Sequence, residues 1–567
     1  MRFIRSALHF LPKQTWLAIV LCLVPILIYW NVFIEISLNV NYVAYDDIAI
    51  LGVIPGFEEA SWLERWHRLT DPLPEHRLIF SRLIVLVSYY LFGQVNLVGL
   101  MLGGNLCLTG CAVVFYAVFR RLRLSIWYFV PVLWLWFTLH FFENTFWGMS
   151  SLCNFGVLLF TMLSFYYATH SQKYWVALLF ALIATFSFGN GIITFVVIAF
   201  LYWVTGRKKE FFITLGTLAV VGFIYFSGFP QKTASLDFSD SQQVLEGIAG
   251  FFGFIGSIVA LEAYSLDPVY LTSAVVMGVV MIALFLMLFR TKTVTLFLSL
   301  TGRPISLSPA GQFTLVILLF VAITSFAVLY KRIPLEGFES LFKGRYRMYT
   351  ALGWVALHFG ALAWLPATRR RAWGSSLIVS AISINLLLLY VNFGAAVNNR
   401  RVAIAQEFNS RYNSDWLGLD MFNMSQQYFE SIRSYYQSED PLAEGWNPRV
   451  VSDSLPCDEK YVLDSVFCSN DEIRVYAMSD FISTEQSYTD GAYVLLKSDS
   501  HVYASPPNQS VVPMRTLFRR FIYFARGFHA SFHKATVVPG TYKIYVLIRR
   551  GGKNTLYCTD QTWVETD

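Results

Sequence analysis

The sequence predicts a polytopic α-helical membrane protein that ends in a small extracytoplasmic, β-sandwich-like domain. Three observations carry that expectation. The chain of 567 residues is 56% hydrophobic and only 14% charged, which is more apolar surface than a soluble fold of this size needs. Its apolar residues fall into repeated runs long enough to cross a bilayer, and much of its net charge of +6 lies in short basic clusters between those runs. Past about residue 398 the composition turns polar, with strand-like runs broken by turn residues.

The N-terminal segment carries Arg2, Arg5 and Lys13 ahead of an apolar stretch from Trp16 to Ile34. That core is longer than a signal-peptide core and no small-residue cleavage site follows, so it reads as an uncleaved first helix with its N-terminus inside. Further spans are expected near 97–118, 125–142, 151–169, 174–188, 191–206, 211–228, 268–290, 311–330, 348–366 and 375–393. Two more apolar stretches, 77–93 and 244–263, are decided by charge. Arg120, Arg121 and Arg123 fall inside only if 77–93 does not cross, and the same parity places Lys173, Arg207-Lys208-Lys209, Arg290, Lys292, Arg303 and Arg369-Arg370-Arg371 inside.

The resulting expectation is about eleven spans, with a cytoplasmic N-terminus, in the plasma (inner) membrane. Residues 1–397 form the membrane domain and 398–567 an extracytoplasmic domain, helical and then β-rich. Residues 77–93 lie along the outer surface, behind an amphipathic stretch at 57–70 anchored by Trp62 and Trp66. Residues 244–263 form a second outer-face or re-entrant helix, and thirteen spans is the alternative. Basic residues placed this way belong to retained loops and not to a nucleic-acid-binding face.

In the tail, residues 400–440 read as helix. Runs such as Ala492-Tyr493-Val494-Leu495-Leu496 and the stretch from Val537 to Leu547 read as strands of a small sandwich. Cys22, Cys107, Cys111 and Cys153 lie in apolar segments, where a thiol is usually a small core residue. Cys457, Cys468 and Cys558 lie in the tail; Cys457 with Cys468 would staple its first loop in an oxidising compartment, and the pairing among the three stays open. No Cys-x-x-Cys spacing indicates a metal site.

This topology gathers the notable polar residues on the outer face. The first outer loop carries Asp46-Asp47, Glu58, Glu59 and the run Pro74-Glu75-His76-Arg77; the next carries Glu143. A Gly-rich turn holds Asn190, and the penultimate outer loop holds Lys331-Arg332 and Lys343-Gly344-Arg345-Tyr346-Arg347. Ionisable groups beside a hydrocarbon slab are expensive, and by default they indicate function. Carboxylates opposite a cationic loop can accept a proton or hold a divalent ion such as Mg or Mn, while arginine grips phosphate in a bidentate fork. In an extended loop, Arg345 and Arg347 would point to the same side. Each residue also has a structural reading: Asp46-Asp47 as a helix cap, Glu75-His76-Arg77 as a self-satisfied cluster, Asn190 as a helix-end cap.

With Tyr45-Asp46-Asp47 after the first span, Pro74-Glu75-His76-Arg77 ahead of Leu91-Phe92-Gly93, and a second span ending in Arg120-Arg121, the chain resembles the GT-C class of integral-membrane glycosyltransferases. Lipid A aminoarabinose transferases, protein O-mannosyltransferases and bacterial arabinofuranosyltransferases belong to that class. The resemblance covers about residues 1–230 and, more loosely, 311–393. It implies a polyprenyl-phosphate-linked sugar donor and an acceptor that is a glycan, lipid or protein. It also implies inverting transfer, with Asp46, Asp47 and Glu143 as catalytic acids, or with Asp46 and Asp47 as metal ligands. Arg332, Arg345 and Arg347 would hold the donor phosphate, and Glu75, His76, Arg77 and Asn190 would line the substrate. The Glu-His-Arg run departs from the Lys-Pro-Pro of the aminoarabinose transferases, so sugar and acceptor do not carry over. A flippase of lipid-linked glycans and an en bloc glycan ligase or polymerase are the competing classes.

Overall fold

The computed structural model describes the chain outside residues 1–12, 38–42, 44–45, 74–75, 172, 230–234, 262–266, 301–303, 414–430, 437–439, 449–456, 458, 478–489 and 566–567. Tyr45, Glu75 and Arg303, with much of the expected 400–440 helix, lie outside the described residues. Among those described, nine helices are long and apolar enough to cross a membrane: Thr15–Ser37, Leu97–Arg121, Ile126–Thr145, Gly148–His170, Lys208–Phe226, Ser241–Val259, Pro268–Leu288, Pro309–Glu336 and Ala367–Tyr412. Their outward faces carry large apolar side chains, Phe223 at 79% exposure among them. Lipid solvates such faces, whereas contiguous apolar patches of this kind are rare on water-soluble monomers.

The count differs from the expected eleven at identifiable places. The run through 174–206 is cut by a 3₁₀ turn at Gly189–Ile192 into helices Tyr174–Ser187 and Ile193–Val204, of 14 and 12 residues. Met348–Trp364 has 17 residues. All three fall short of the ~20 residues that a bilayer needs. Conversely, the stretch expected to lie at the outer face forms Ser241–Val259, which is long enough to cross. Helix lengths therefore leave sidedness to the charge pattern.

The chain divides into two compact units. The first comprises Met1–Trp30, Gly56–Val85 and Leu100–Asn392; the second comprises Asn31–Pro55, Leu86–Gly99 and Phe393–Asp567. Within the first unit, the helix Ser241–Gly256 buries Gly247, Gly250 and Gly253 along one side. A Cβ at Gly250 would stand 2.5 Å from Leu341, and one at Gly253 2.7 Å from Phe342. Only hydrogen fits there, so the glycines let the Phe338–Phe342 turn seat against the helix. Such close approach through small residues is how helices associate where no hydrophobic force acts between them.

Among the described residues the second unit holds two sheets. The five-stranded sheet runs in the order β1 (Glu459–Lys460), β8 (Lys553–Glu565), β7 (Gly540–Arg550), β4 (Gly491–Lys497), β5 (Val502–Ser505). The three-stranded sheet is β2 (Ser465–Cys468), β3 (Glu472–Ala477), β6 (Phe528–His533). Alternate residues of four strands form one shared core: Ile473 and Val475, Val494 and Leu496, Ala530 and Phe532, Ile544 and Val546. Gly551 and Gly552, with φ of 57° and 78°, make the two-residue turn between β7 and β8 that other residues resist.

The β5 edge is not left open. Asn409 of the long helix Ala367–Tyr412 accepts from the Ala504 N–H at 2.7 Å and donates to its carbonyl at 2.8 Å. Asn413 does the same for Val502, at 3.0 and 2.6 Å. Two amides one helical turn apart thus stand in for a neighbouring strand.

The expected loop staple between Cys457 and Cys468 is not what forms. Cys457 bonds Cys558, with a Cα–Cα distance of 5.5 Å, and Cys468 is free and exposed. The reason is topological: β1 returns beside β8 in parallel, pairing Glu459 with Tyr557 and Lys460 with Cys558, which brings Cys457 within reach. The bridge spans 101 residues, so its loss should cost about 2–5 kcal/mol. Cys457→Ser should lower the melting temperature of the full-length protein in detergent. Alkylation of the folded wild type should tag Cys468 and leave Cys457 and Cys558 untouched; tagging of Cys558 would contradict the pairing.

Candidate active site

Asp46 and Asp47 belong to the second unit and differ in setting. Asp47 opens the short helix Asp47–Leu51 and is wholly buried. Asp46 occupies the N-cap position, is half-buried, and makes no side-chain capping bond. Asp46 is thus the more accessible carboxylate, and Asp47 the one held in the interior.

The other acid, Glu143, lies in the first unit on the one-turn helix Phe142–Thr145, all four residues of which are buried. Its Oε2 accepts from the Arg345 N–H at 3.2 Å, while Oε1 is buried without a hydrogen-bond partner among the described residues. Gly344 sits against this carboxyl group: a Cβ there would stand 3.1 Å from Glu143 Cδ. Beside it, Asn144 Nδ2 donates to the Arg345 carbonyl at 2.9 Å. Ser150 donates to Asn144 Oδ1 at 2.7 Å and receives Asn154 Nδ2 at 3.0 Å. Ser151–Phe155 forms a π-helical turn, a local irregularity common at functional sites. The acid and the turn Gly344–Tyr346 are therefore latched together by side-chain and backbone bonds.

The three arginines expected at a phosphate do not act alike. Gly344–Tyr346 is a 3₁₀ turn and not an extended loop, so Arg345 and Arg347 do not share a side. Arg347 is fully buried and donates to the carbonyls of Phe342 at 3.0 Å and Leu261 at 3.4 Å. Arg345 stays half-buried with its guanidinium 5.4 Å from the Tyr346 ring centre. Arg332 and Lys343 both pair with Glu336, Arg332 at 2.7 Å. The charge of Glu336 is thus coupled to Lys343, Arg332 and Arg345 together.

Arg77 is likewise committed to backbone. It donates to the carbonyls of Tyr225 at 2.7 Å, Thr70 and Ser227, and burial pulls its pKa below the ordinary guanidinium value against the opposing influence of Tyr225 and Asp71. His76 stacks 4.3 Å from the Phe188 ring and lies over Gly189, where a Cβ would come within 2.5 Å of Nδ1. Asn190 Nδ2 donates to the Tyr349 hydroxyl at 2.7 Å, joining this turn to the helix Met348–Trp364, and its Oδ1 has no partner among the described residues.

Sequence reasoning missed Asn144, Ser150 and Asn154, which support Glu143, and Glu336, which organises the cations. The i, i+4 spacing of Ser150 and Asn154 inside an apolar run was the available signal. Among the described residues no group of three or more His, Cys, Asp or Glu side chains is placed to hold a metal ion. Asp46 and Asp47 supply two carboxylates and so do not amount to an all-protein cage for Mg or Mn.

The two neighbouring arginines make a paired test. Arg347→Lys removes a buried fork from two carbonyls and should cost about 1.5–3 kcal/mol, read as a lower melting temperature in detergent. Arg345→Lys should leave the melting temperature within error. Equal destabilisation by both would dissolve the distinction.

Comparison with family models, curated proteins and solved structures finds no match.

Proposed function

We propose that the protein is an inverting membrane glycosyltransferase that moves a sugar from a polyprenyl-phosphate-linked donor to a glycan, lipid or protein acceptor at the outer membrane face. The observation that carries the reading is Glu143, a buried carboxylate with one oxygen uncommitted beside a turn edged by Arg332, Lys343 and Arg345. That arrangement suits chemistry in which a proton is accepted and an anion departs. The acidic pair after the first span, shared with the GT-C class, supports the same reading. So does the Cys457–Cys558 bond, because disulfides persist on the oxidising side of a membrane.

In the proposed reaction the Glu143 carboxylate, through its uncommitted Oε1, takes the proton of an acceptor hydroxyl as the hydroxyl oxygen bonds to the anomeric carbon. The carbon–oxygen bond to the lipid phosphate breaks on the opposite face, and the lipid monophosphate leaves with the electron pair. Arg345, with Arg332 and Lys343, meets its charge. Through Oε2, Glu143 also holds the Arg345 turn by its backbone N–H.

Purified protein should turn over a lipid-monophosphate sugar and not a lipid-diphosphate one. Glu143→Gln keeps the shape and removes the base, so turnover should fall by about 10²–10⁴-fold. Near-normal turnover in that variant removes Glu143 from the reaction. Transfer from the diphosphate donor alone would make the protein an en bloc ligase, and lipid translocation in proteoliposomes without transfer would make it a flippase.

A further inference from the structure

Within the second unit, residues 510–525 leave the sheet and return to it as a closed excursion. Its base is stitched by Val512 N–H to the Tyr523 carbonyl at 2.9 Å, by Ala525 N–H to the Ser510 carbonyl at 2.8 Å, and by the Val511–Phe524 bridge. The one helix it contains, Met514–Arg520, buries none of its residues. Phe518 is 71% exposed and Phe521 88% exposed, the latter held outward at φ 54°. Arg515, Arg519, Arg520 and Arg526 are exposed around them. Two exposed phenylalanines among four arginines make a poor water-facing surface, and the combination is that of a segment lying in a lipid headgroup region.

The excursion is also fixed at a definite height on the last apolar helix. The Tyr523 hydroxyl accepts the Gly394 N–H at 2.9 Å, and the Tyr523 ring meets Phe393 edge-on with centres 4.9 Å apart. Gly394 belongs to the helix Ala367–Tyr412, which carries Arg369, Arg370 and Arg371 near its start. That helix is long and apolar enough to cross a membrane, and the excursion is pinned to it at Gly394.

We propose that residues 511–526 form a membrane-surface anchor, in which Phe518 and Phe521 enter the headgroup boundary and Arg515, Arg519, Arg520 and Arg526 pair with anionic lipid phosphates. Each arginine near an anionic surface adds attraction that salt screens. The anchor does not depend on the proposed activity, because it needs only an anionic leaflet on the side of the second unit.

The test uses the full-length chain in nanodiscs. In a Cys468→Ser background, Phe518→Cys carries an environment-sensitive dye, read by spin-labelled lipid from within the bilayer and by iodide from water. In discs containing phosphatidylglycerol the dye should be quenched by the lipid and shielded from iodide. Arg515→Glu, Arg519→Glu and Arg520→Glu together, or molar salt, should shift the docked-to-undocked ratio about tenfold or more toward water. Intact Cys457–Cys558 in the triple variant shows that it has folded. Iodide access equal to that in detergent overturns the proposal. Equal docking in pure phosphatidylcholine overturns the phosphate pairing, and shielding in detergent would assign the surface to another copy of the protein.

Discussion

A backbone carbonyl without a donor inside hydrocarbon costs several kcal/mol, so irregular chain survives at membrane depth only where protein supplies the missing bonds. Among the described residues, the first unit meets that constraint at several of its helix breaks. Asn385 donates to the carbonyls of Trp134 and Phe137 at the end of Val130–Trp136. His140 donates to Ala260, and Arg347 to Phe342 and Leu261. Arg77 closes the end of Lys208–Phe226 in the same manner. Polar side chains that look out of place in apolar runs are there because the backbone beside them has left the helix.

That constraint also organises the candidate site. The breaks at Phe142–Thr145 and Gly344–Tyr346 face each other, and Asn144 satisfies a carbonyl of the second with its amide while Glu143 satisfies an N–H. One Glu143 oxygen is employed for that backbone bond, and the other is buried without a partner among the described residues. The Tyr29 hydroxyl, which meets Thr145 at 3.0 Å and Asn105, holds the same one-turn helix from behind.

Apolar run length was enough to locate eight of the candidate spans, and the apolar run 492–496 was enough to locate β4, which is buried throughout, because burial dictates residue type directly. The glycines at 247, 250 and 253 carried no such message, since a small-residue side of a helix and a flexible loop look alike until the partner turn is known. Cys457 gave no hint of Cys558, because the parallel return of β1 onto β8 is set by contacts a hundred residues away. Arg345 and Arg347 were misjudged for a simpler reason: their spacing has one meaning in a strand and another in a 3₁₀ turn. Asp46 and Glu143 stood out early because charge beside an apolar run is costly, while Asn144 and Ser150 did not, because neutral amides and hydroxyls cost little to misread.

The amides of Asn409 and Asn413 carry a consequence for how the chain is made. They precede the strand they complete by about ninety residues, so the ribosome delivers the template before the edge that needs it. Strand β5 then meets a ready row of donors and acceptors as it emerges, and a nascent sheet is never obliged to seek a neighbour from another chain. Excising the sandwich without the end of its helix would remove that row. The isolated piece would expose Val502 and Ala504 to one another across molecules, and its aggregation would reflect a missing chaperoning helix, with no defect in the sheet itself.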